Sequence, residues 1–401
     1  MKTAHIRRIT FINERWIEEI EMNCTPEELK QFGWTIQRLI EKQDLSAEES
    51  DHMFRQILLN RQPDLQQGAF LAALTAKGET PQEIAGAWRA IMETDTARVS
   101  ENLGVPLVEN SGTGMDQLKT FNVSTAAAVV AAAGGACLAR HGARALTSTC
   151  GTVDLLDAVG IDVNCEVKTT VESIQKIGIG LFNGMSAKVH PNSLARILGQ
   201  IRFGSTLNIA ASLASPCRPT HGLRGVYSRD ILAAVADVMR EIGYQRGMVV
   251  HGFDARKEKG MDEFSTIGES LVHEFGADGY QTTYTLAPED VGLKRTRYET
   301  IAAFGNVQKE SVRFLQVIAG TGYPECRDLT CFNSGAILYL IGKVQDIRTG
   351  VAMSREAIES GRALAKLSEW VLAQADSEKH GVKRYRELAS VAGLSAQIDV
   401  D

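Results

Sequence analysis

Three short segments carry residues whose types and spacing could do chemistry. The first runs Ser111-Gly112-Thr113-Gly114-Met115-Asp116, then Thr120-Phe121-Asn122-Val123-Ser124-Thr125, into an alanine-rich stretch. Gly112 and Gly114 let the backbone approach a ligand closely, because no Cβ stands in the way. Ser124 and Thr125 set hydroxyls beside the free N–H groups of a helix N-terminus, where the backbone dipoles favour an anion. Phosphate binding is the chemistry this arrangement serves, although an ordinary capped turn has the same composition. The second segment is Arg140-His141-Gly142-Ala143-Arg144, leading to Thr147 and Ser148. Its cations suit a pyrophosphate; read alone, it is a solvated basic loop. The third is Val249-Val250-His251-Gly252-Phe253-Asp254, an insertion-like stretch at 255–260, and then Asp262-Glu263. Adjacent carboxylates after a buried strand can hold Mg²⁺, which takes one or two carboxylates together with phosphate oxygens and water. An isolated Asp-Glu pair is otherwise a charged surface turn.

These segments need elements to position them. Thr25-Pro26-Glu27-Glu28, Ser46-Ala47-Glu48-Glu49 and Thr80-Pro81-Gln82-Glu83 each read as a capping box, a hydroxyl and a carboxylate reciprocally satisfying helix N–H groups. With helical apolar spacing between them, they predict an all-helical segment over residues 25–102. Residues 5–22 mix β-branched and charged side chains and read as a short hairpin or strand. After residue 105 the pattern changes to alternation. Strands are expected at 105–110, 145–148, 247–251 and 280–286, and helices at 126–140, 153–159, 228–242 and 311–319. Further helices are expected at 334–343 and 351–376, with a polar end that frays. Such alternation indicates an α/β sheet domain.

Bulk properties narrow the class. The 401 residues, 44% hydrophobic, suffice for two domains, each with its own core. A net charge of -6 is not that of a general nucleic-acid binder. The seven cysteines contain no CxxC pair. They are expected as free thiols in a reducing cytosol, without structural zinc. Residues 1–8 lack an apolar core of the signal-peptide kind, and the small-apolar run at 126–133 is too short to span a membrane. The expected location is cytoplasmic.

Taken together, and in this order, the three segments resemble the anthranilate phosphoribosyltransferase family. The family's Gly-Thr-Gly-Gly-Asp and Thr-Phe-Asn-Ile-Ser-Thr are matched by Gly112–Asp116 and Thr120–Thr125, its Lys-His-Gly-Asn-Arg by Arg140–Arg144, and its His-Gly and Asp-Glu pairs by His251-Gly252 and Asp262-Glu263. Lys77–Pro81, Gly225-Val226-Tyr227 and Ser360–Leu364 extend the similarity over roughly residues 31–370. The resemblance implies a small helical N-terminal domain and a larger α/β domain with a central sheet, assembled as a homodimer through the helical domains. The implied limits are an extension at 1–30, a helical domain at 31–104 joined by 170–212 from mid-chain, an α/β domain at 105–169 and 213–376, and a polar tail at 377–401. The implied reaction is transfer of 5-phosphoribosyl from phosphoribosyl pyrophosphate (PRPP) to an aromatic amine, releasing pyrophosphate. Gly112, Thr113, Gly114, Asp116, Thr120, Asn122, Ser124, Thr125, Arg140 and Thr147 would then contact PRPP. Asp262 and Glu263, with Ser124 nearby, would bind two Mg²⁺ ions.

The departures cluster on the acceptor side. Met115 and Gln117 replace glycines of the family loop, and Ala143 replaces an asparagine that contacts the acceptor. The family's acceptor-binding arginine is matched by Arg196, with Arg202 as the rival. His141 and His190 align near the acceptor; His190, next to Pro191, also reads as a helix-entry residue. Mostly kept phosphate and metal positions beside an altered acceptor side point to a different aromatic acceptor. A nucleoside phosphorylase of related fold and a non-catalytic binding protein are the alternatives.

Overall fold

The computed structural model describes residues 24–99, 104–114, 116–144, 150–378 and 380–400, together with the backbone of 9–12 and 15–18. Met115, Thr147 and the strand expected at 145–148 lie outside these residues. β1 (Ile9–Ile12) and β2 (Arg15–Glu18) pair antiparallel, as the sequence led us to expect.

Four helices follow: α1 (Pro26–Ile40), α2 (Ala47–Leu58), α3 (Asp64–Lys77) and α4 (Pro81–Thr94). Thr25, Ser46 and Thr80 cap three of them, and Glu28, Glu49 and Glu83 close the boxes. The helices bury Phe32, Leu39, Phe54, Phe70, Leu74 and Ile91 in a core that continues through three later helices, Leu194–Ile201, Thr206–Ser212 and Leu232–Glu241, to one face of the sheet.

The larger body alternates strands and helices. Its first half holds β3 (Leu107–Gly112), α5 (Val123–Ala133), β4 (Cys137–Gly142), α6 (Thr152–Val159), α7 (Val167–Ile177) and β5 (Ile179–Asn183). Then come α8 (Leu194–Ile201), α9 (Thr206–Ser212), β6 (His221–Gly225), α10 (Leu232–Glu241), β7 (Arg246–Phe253), β8 (Gly260–Met261), β9 (Ser270–Phe275) and β10 (Gln281–Leu286). The chain ends with α11 (Tyr298–Ile301), α12 (Val307–Ile318), α13 (Pro324–Leu340), α14 (Ile347–Glu359), α15 (Arg362–Ala373) and α16 (His380–Val391). The sheet order is β10-β9-β7-β6-β3-β4-β5, with β8 paired to β7. Strands β3 to β7 run parallel, while β8, β9 and β10 are antiparallel additions at one side. One face is covered by α5, whose buried Ala126–Ala132 run lets α13 and α15 pack close.

Three expectations are corrected. The helix expected at 126–140 ends at Ala133: Gly135 takes φ +89 and turns the chain into β4. Arg140 and His141 therefore point to opposite faces of a strand. The mid-chain segment expected in the helical domain from residue 170 joins it only with α8 and α9, through Leu194, Ile197 and Leu207. β5 is a fully buried sheet strand, and α7 is tied to it by Thr170 and Ser173 hydroxyls donating to Leu181 and Ile179 carbonyls. The expected polar tail carries α16, an amphipathic helix that buries Val382, Tyr385 and Leu388 in the main core.

All seven cysteines are free. Among the described residues, no helix is long and apolar enough to cross a membrane.

Candidate functional site

Two glycines let the carboxylates reach the end of the sheet. A Cβ on Gly112 would lie 2.2 Å from Asp262 Oδ2, and one on Gly225 would lie 1.5 Å from the Asp262 carbonyl oxygen. Without these Cβ atoms, the turn after β8 settles directly against the ends of β3 and β6. Asp262 Oδ2 accepts a 2.6 Å hydrogen bond from the Gly114 N–H and lies 3.5 Å from Thr113 Oγ1. Glu263 accepts from Thr120 Oγ1 at 2.8 Å and from Ser124 Oγ at 3.4 Å. Asp116 pairs with Lys119 Nζ at 2.7 Å, and that ammonium also donates to the Gly114 carbonyl at 2.9 Å. Gly112, Thr113, Gly114, Asp116, Thr120, Ser124, Asp262 and Glu263 are thus brought together.

The loop is held on both edges. Gly260 O accepts from Gln117 N at 3.2 Å and from Leu118 N at 3.1 Å. Thr120 bridges Ala302, with Ala303 N donating to Lys119 O at 3.0 Å. The excursion at 255–260 that leads into β8 is a closed turn, because Asp254 Oδ1 accepts from Glu258 N at 2.8 Å and Lys259 N at 3.3 Å.

The carboxylates repel one another. Burial, and then the charge of Asp262, raises the Asp116 carboxyl to about 7. Burial, followed by the charges of Asp262 and Asp116, pushes Glu263 well above the usual carboxylate range. A divalent cation would relieve this repulsion. The donors present, carboxylate and hydroxyl oxygens, are of the kind that Mg²⁺ takes together with phosphate oxygens and water.

Arg140 lies buried beneath the N-terminus of α5. Its guanidinium donates to Asn110 Oδ1 at 2.8 Å, Ser124 O at 3.0 Å, Thr125 Oγ1 at 3.2 Å and Thr152 Oγ1 at 3.3 Å. Burial brings it down to about 10, still cationic at neutral pH. Asn122 Nδ2 donates to the Cys150 carbonyl at 3.4 Å.

His141 Nε2 and His190 Nε2, which the sequence aligns near the acceptor, are 3.1 Å apart. His190 Nδ1 is 2.6 Å from the Asp95 carbonyl, which can only accept. We therefore assign the proton of His190 to Nδ1, which leaves its Nε2 as an acceptor facing His141. Burial, then the neighbouring His190, drives His141 down to about 3, and burial lowers His190. Both rings are neutral at physiological pH. The Ala143 carbonyl accepts from Val153 N at 3.3 Å at the start of α6. Arg196 is turned to α3, 3.1 Å from Asp64 Oδ1 and 2.9 Å from Gln67 Oε1. Arg202 ends α8 at φ 48 and donates only locally, to Gly199 O at 3.4 Å. Neither arginine hydrogen-bonds to the histidine pair.

Sequence reasoning missed four residues. Lys119 neutralises Asp116, and its spacing three residues on was the available signal. Asn333 Oδ1 accepts from Phe264 N at 3.0 Å and so fixes the turn behind Glu263; nothing local in the sequence marks it. Glu109 and Arg224 form a 3.5 Å ion pair, each fully buried. A charge inside each apolar strand was their signal.

With this geometry in place, comparison with known proteins is direct. The model for the glycosyl transferase family, a/b domain, matches residues 104–364, and that for the family's helical bundle domain matches residues 35–94. The fold and site thus define a glycosyltransferase of two-body construction. Within that class the chain belongs to the anthranilate phosphoribosyltransferase family and is a phosphoribosyltransferase. It is 38% identical to the anthranilate phosphoribosyltransferase of Methanosarcina barkeri over 339 residues, 84% of this chain and 88% of that one. The Desulfosudis oleivorans enzyme of the same name is 34% identical over 347 residues, 85% of this chain and 98% of its own. Among solved structures, anthranilate phosphoribosyltransferase from Thermus thermophilus superposes with a TM-score of 0.75 at 33% identity, covering 84% of this chain and 98% of that one. The Saccharomyces cerevisiae enzyme, solved in complex with PRPP and Mg, shares the fold with a TM-score of 0.75 at 22% identity, covering 87% and 98%.

Proposed function

We propose that the chain transfers 5-phosphoribosyl from PRPP to an aromatic acceptor, anthranilate or a related aromatic amine or acid, with Mg²⁺ and release of pyrophosphate. The observation that carries this reading is the convergence of Asp262 and Glu263 on the glycine loop and on the hydroxyls at the α5 N-terminus. PRPP would be held by Gly112, Thr113, Gly114, Asp116, Thr120, Asn122, Ser124, Thr125 and Thr147. Asp262 and Glu263, with the Ser124 hydroxyl beside them, would hold two Mg²⁺ ions, which supply neutralising charge to the departing pyrophosphate. The α5 N-terminus offers its N–H groups to phosphate, and the buried cation of Arg140 adds positive potential from below. Lys119 keeps Asp116 from opposing the ligand's charge. The acceptor would lie toward His141, His190 and Ala143. An aryl amine already has its lone pair free at neutral pH, so positioning, rather than a strong base, is what these neutral rings supply. The yeast enzyme's complex with PRPP and Mg supports the same use of this fold. Seven free thiols support a cytoplasmic location. A homodimer through the helical body is supported by exposed apolar side chains there, Trp34 and Leu65 among them.

The test is pyrophosphate release from PRPP and Mg²⁺ across a panel of aromatic amines and acids that includes anthranilate, alongside calorimetry of PRPP binding. PRPP binding that requires Mg²⁺, with release upon addition of an acceptor, is expected. Absence of PRPP binding would overturn the reading.

A further inference from the structure

His251 and Gly252, at the end of β7, take no direct part in the phosphate or metal chemistry, yet both lie against the short strand that serves it. That strand, β8, is two residues long, and among the described residues β7 is its only partner, through Gly252 opposite Met261 and Phe253 opposite Gly260. Both of its ends hold the phosphate loop. Gly260 O accepts from Gln117 N at 3.2 Å and Leu118 N at 3.1 Å. Asp262, the residue after Met261, accepts the 2.6 Å hydrogen bond from Gly114 N. β8 is therefore a strut on which the loop rests at two points. Two ladder pairs with a single neighbour give such a strand little persistence of its own, so side-chain packing must hold it in place.

The two residues supply that packing from opposite sides, because successive strand residues face opposite ways. At Gly252 a Cβ would lie 2.3 Å from the Glu263 carbonyl oxygen, so its bare backbone seats the acidic turn. His251 does the converse and fills space. A Cβ on Gly260 would lie 2.1 Å from His251 Cε1 and 2.2 Å from its Nε2, so the edge of the ring rests on the Gly260 backbone. The ring itself is fixed twice. Its Nδ1 is 2.8 Å from the Val226 carbonyl, which can only accept, so we assign the ring proton to that nitrogen. Phe253 meets the ring edge to face, with centroids 4.8 Å apart and planes at 81°. Val226 directly follows Gly225, the glycine that admits the Asp262 carbonyl. The buried His251 ring thus ties the turn after β6 to the residue whose carbonyl holds the phosphate loop.

We propose that His251 is a positioning residue for PRPP binding: its ring holds β8 so that Gly260 keeps the Gln117–Leu118 edge of the loop in its binding-competent place. It acts through Gly260 and not on the reacting atoms. Without the ring, the loop is seated in only a fraction of the molecules, and apparent PRPP affinity falls by that fraction. Bound PRPP reseats the loop, so turnover at saturation is kept. The signature is a rise in KM for PRPP at nearly constant kcat. This inference rests on the phosphoribosyl-transfer reading, so its test begins with PRPP.

The experiment measures PRPP binding with Mg²⁺ by calorimetry, and pyrophosphate release with the best acceptor of the panel, for wild type, H251A, H251N, G260A and G260A/H251A. Each titration is run well below the variant's melting temperature, so that folded protein is compared. H251A should bind PRPP about tenfold more weakly, the penalty when about one molecule in ten has the loop seated, with kcat within about threefold of wild type. H251N keeps a donor for the Val226 carbonyl but lacks the ring edge, so it should fall between the two. G260A alone should also weaken PRPP, because its methyl meets the ring. In G260A/H251A the methyl enters the space the ring has left. Its PRPP affinity should be at least about fivefold better than the product of the two single losses, as for residues in direct contact. Three outcomes overturn the inference while leaving PRPP use intact: H251A and H251N binding PRPP as tightly as wild type, the two single losses multiplying independently, or kcat falling at unchanged KM. Failure of wild type to bind PRPP would overturn the underlying reading itself.

Discussion

His141 shows what a single buried ring commits the protein to. Its free-solution value is 6.5, and burial beside His190 lowers it to about 3 in the fold. A histidine held below its unfolded value binds fewer protons in the native state than in the unfolded one. Its stabilising contribution is therefore complete above about pH 6.5 and is lost as pH falls toward about 3. We expect H141N, which keeps a polar side chain without the titration, to show a shallower fall of melting temperature between pH 6.5 and 4 than wild type. Parallel curves would mean that the ring does not control acid stability. Asp116 and Glu263 behave in the opposite sense, because burial and then the neighbouring carboxylates raise them. D262N should cut Mg²⁺-dependent pyrophosphate release by about a hundredfold or more, the scale of removing one preorganised electrostatic group. Its melting temperature without metal should hold or rise, since a charge facing Asp116 and Glu263 is gone. A large drop in that temperature would assign Asp262 a structural role. The residue types of this site were readable from sequence, because glycine, hydroxyl and carboxylate side chains each limit the chemistry available. The poise of Arg140, whose cation lies below the α5 N-terminus rather than in solvent, was not; it depends on a strand that the sequence presented as the end of a helix.

At the scale of elements, the site depends on close approach between β3, β6 and the turn after β8. G225A tests this directly, because the new Cβ would fall 1.5 Å from the Asp262 carbonyl, which is backbone and cannot swing aside. We expect a loss of about 1–3 kcal/mol in stability and abolition of Mg²⁺-dependent PRPP binding. G114A makes the contrast: Gly114 sits at φ +72, but its Cβ would meet nothing within 4 Å. It should cost about 1–2 kcal/mol through backbone strain, with PRPP binding weakened rather than abolished. If both substitutions cost the same binding, loop geometry rather than the seating of Asp262 governs the site. The elements that sequence predicted well were those whose ends are chemically marked. Thr25, Ser46 and Thr80 each carry the hydroxyl and the carboxylate that close a helix N-terminus, and all three helices start there. The failures share a cause. The alanine run after Val123 has no periodicity to show where the helix stops, so the Gly134-Gly135 break passed as part of it. The residues of α16 are mostly polar because one face is exposed, and only Val382, Tyr385 and Leu388 record the other.

Among the described residues, the core that holds α1 to α4 continues through α8, α9 and α10 to one face of the sheet, while a separate, larger core lies on the α5 side. That junction explains why the surroundings of His141 were the least legible part of the sequence. They are built from β4, β6, α9 and the stretch around His190, which meet only in the folded chain. The same helical body presents apolar side chains outward. Trp34 on α1 is 58% exposed and Leu65 on α3 is 89% exposed. α1 and α3 pack against each other, Gly33 facing Gln66, and each of these two helices carries one of the exposed side chains. Burying such side chains is worth about 25 cal/mol for each Å² of apolar surface removed from water, and a second copy supplies a self-complementary partner about a two-fold axis. We expect light scattering to give a dimer for wild type at micromolar concentration and a monomer for W34E/L65E, since two desolvated carboxylates at the seam would oppose association. The glycine loop, the acidic turn and the His141–His190 pair all lie within one chain, so the monomeric variant should retain pyrophosphate release within about twofold of wild type. A wild-type monomer would remove the helical body as the dimer surface. A monomeric variant that loses turnover while keeping its melting temperature would show instead that the seam holds α3 against Arg196 of α8, linking assembly to turnover.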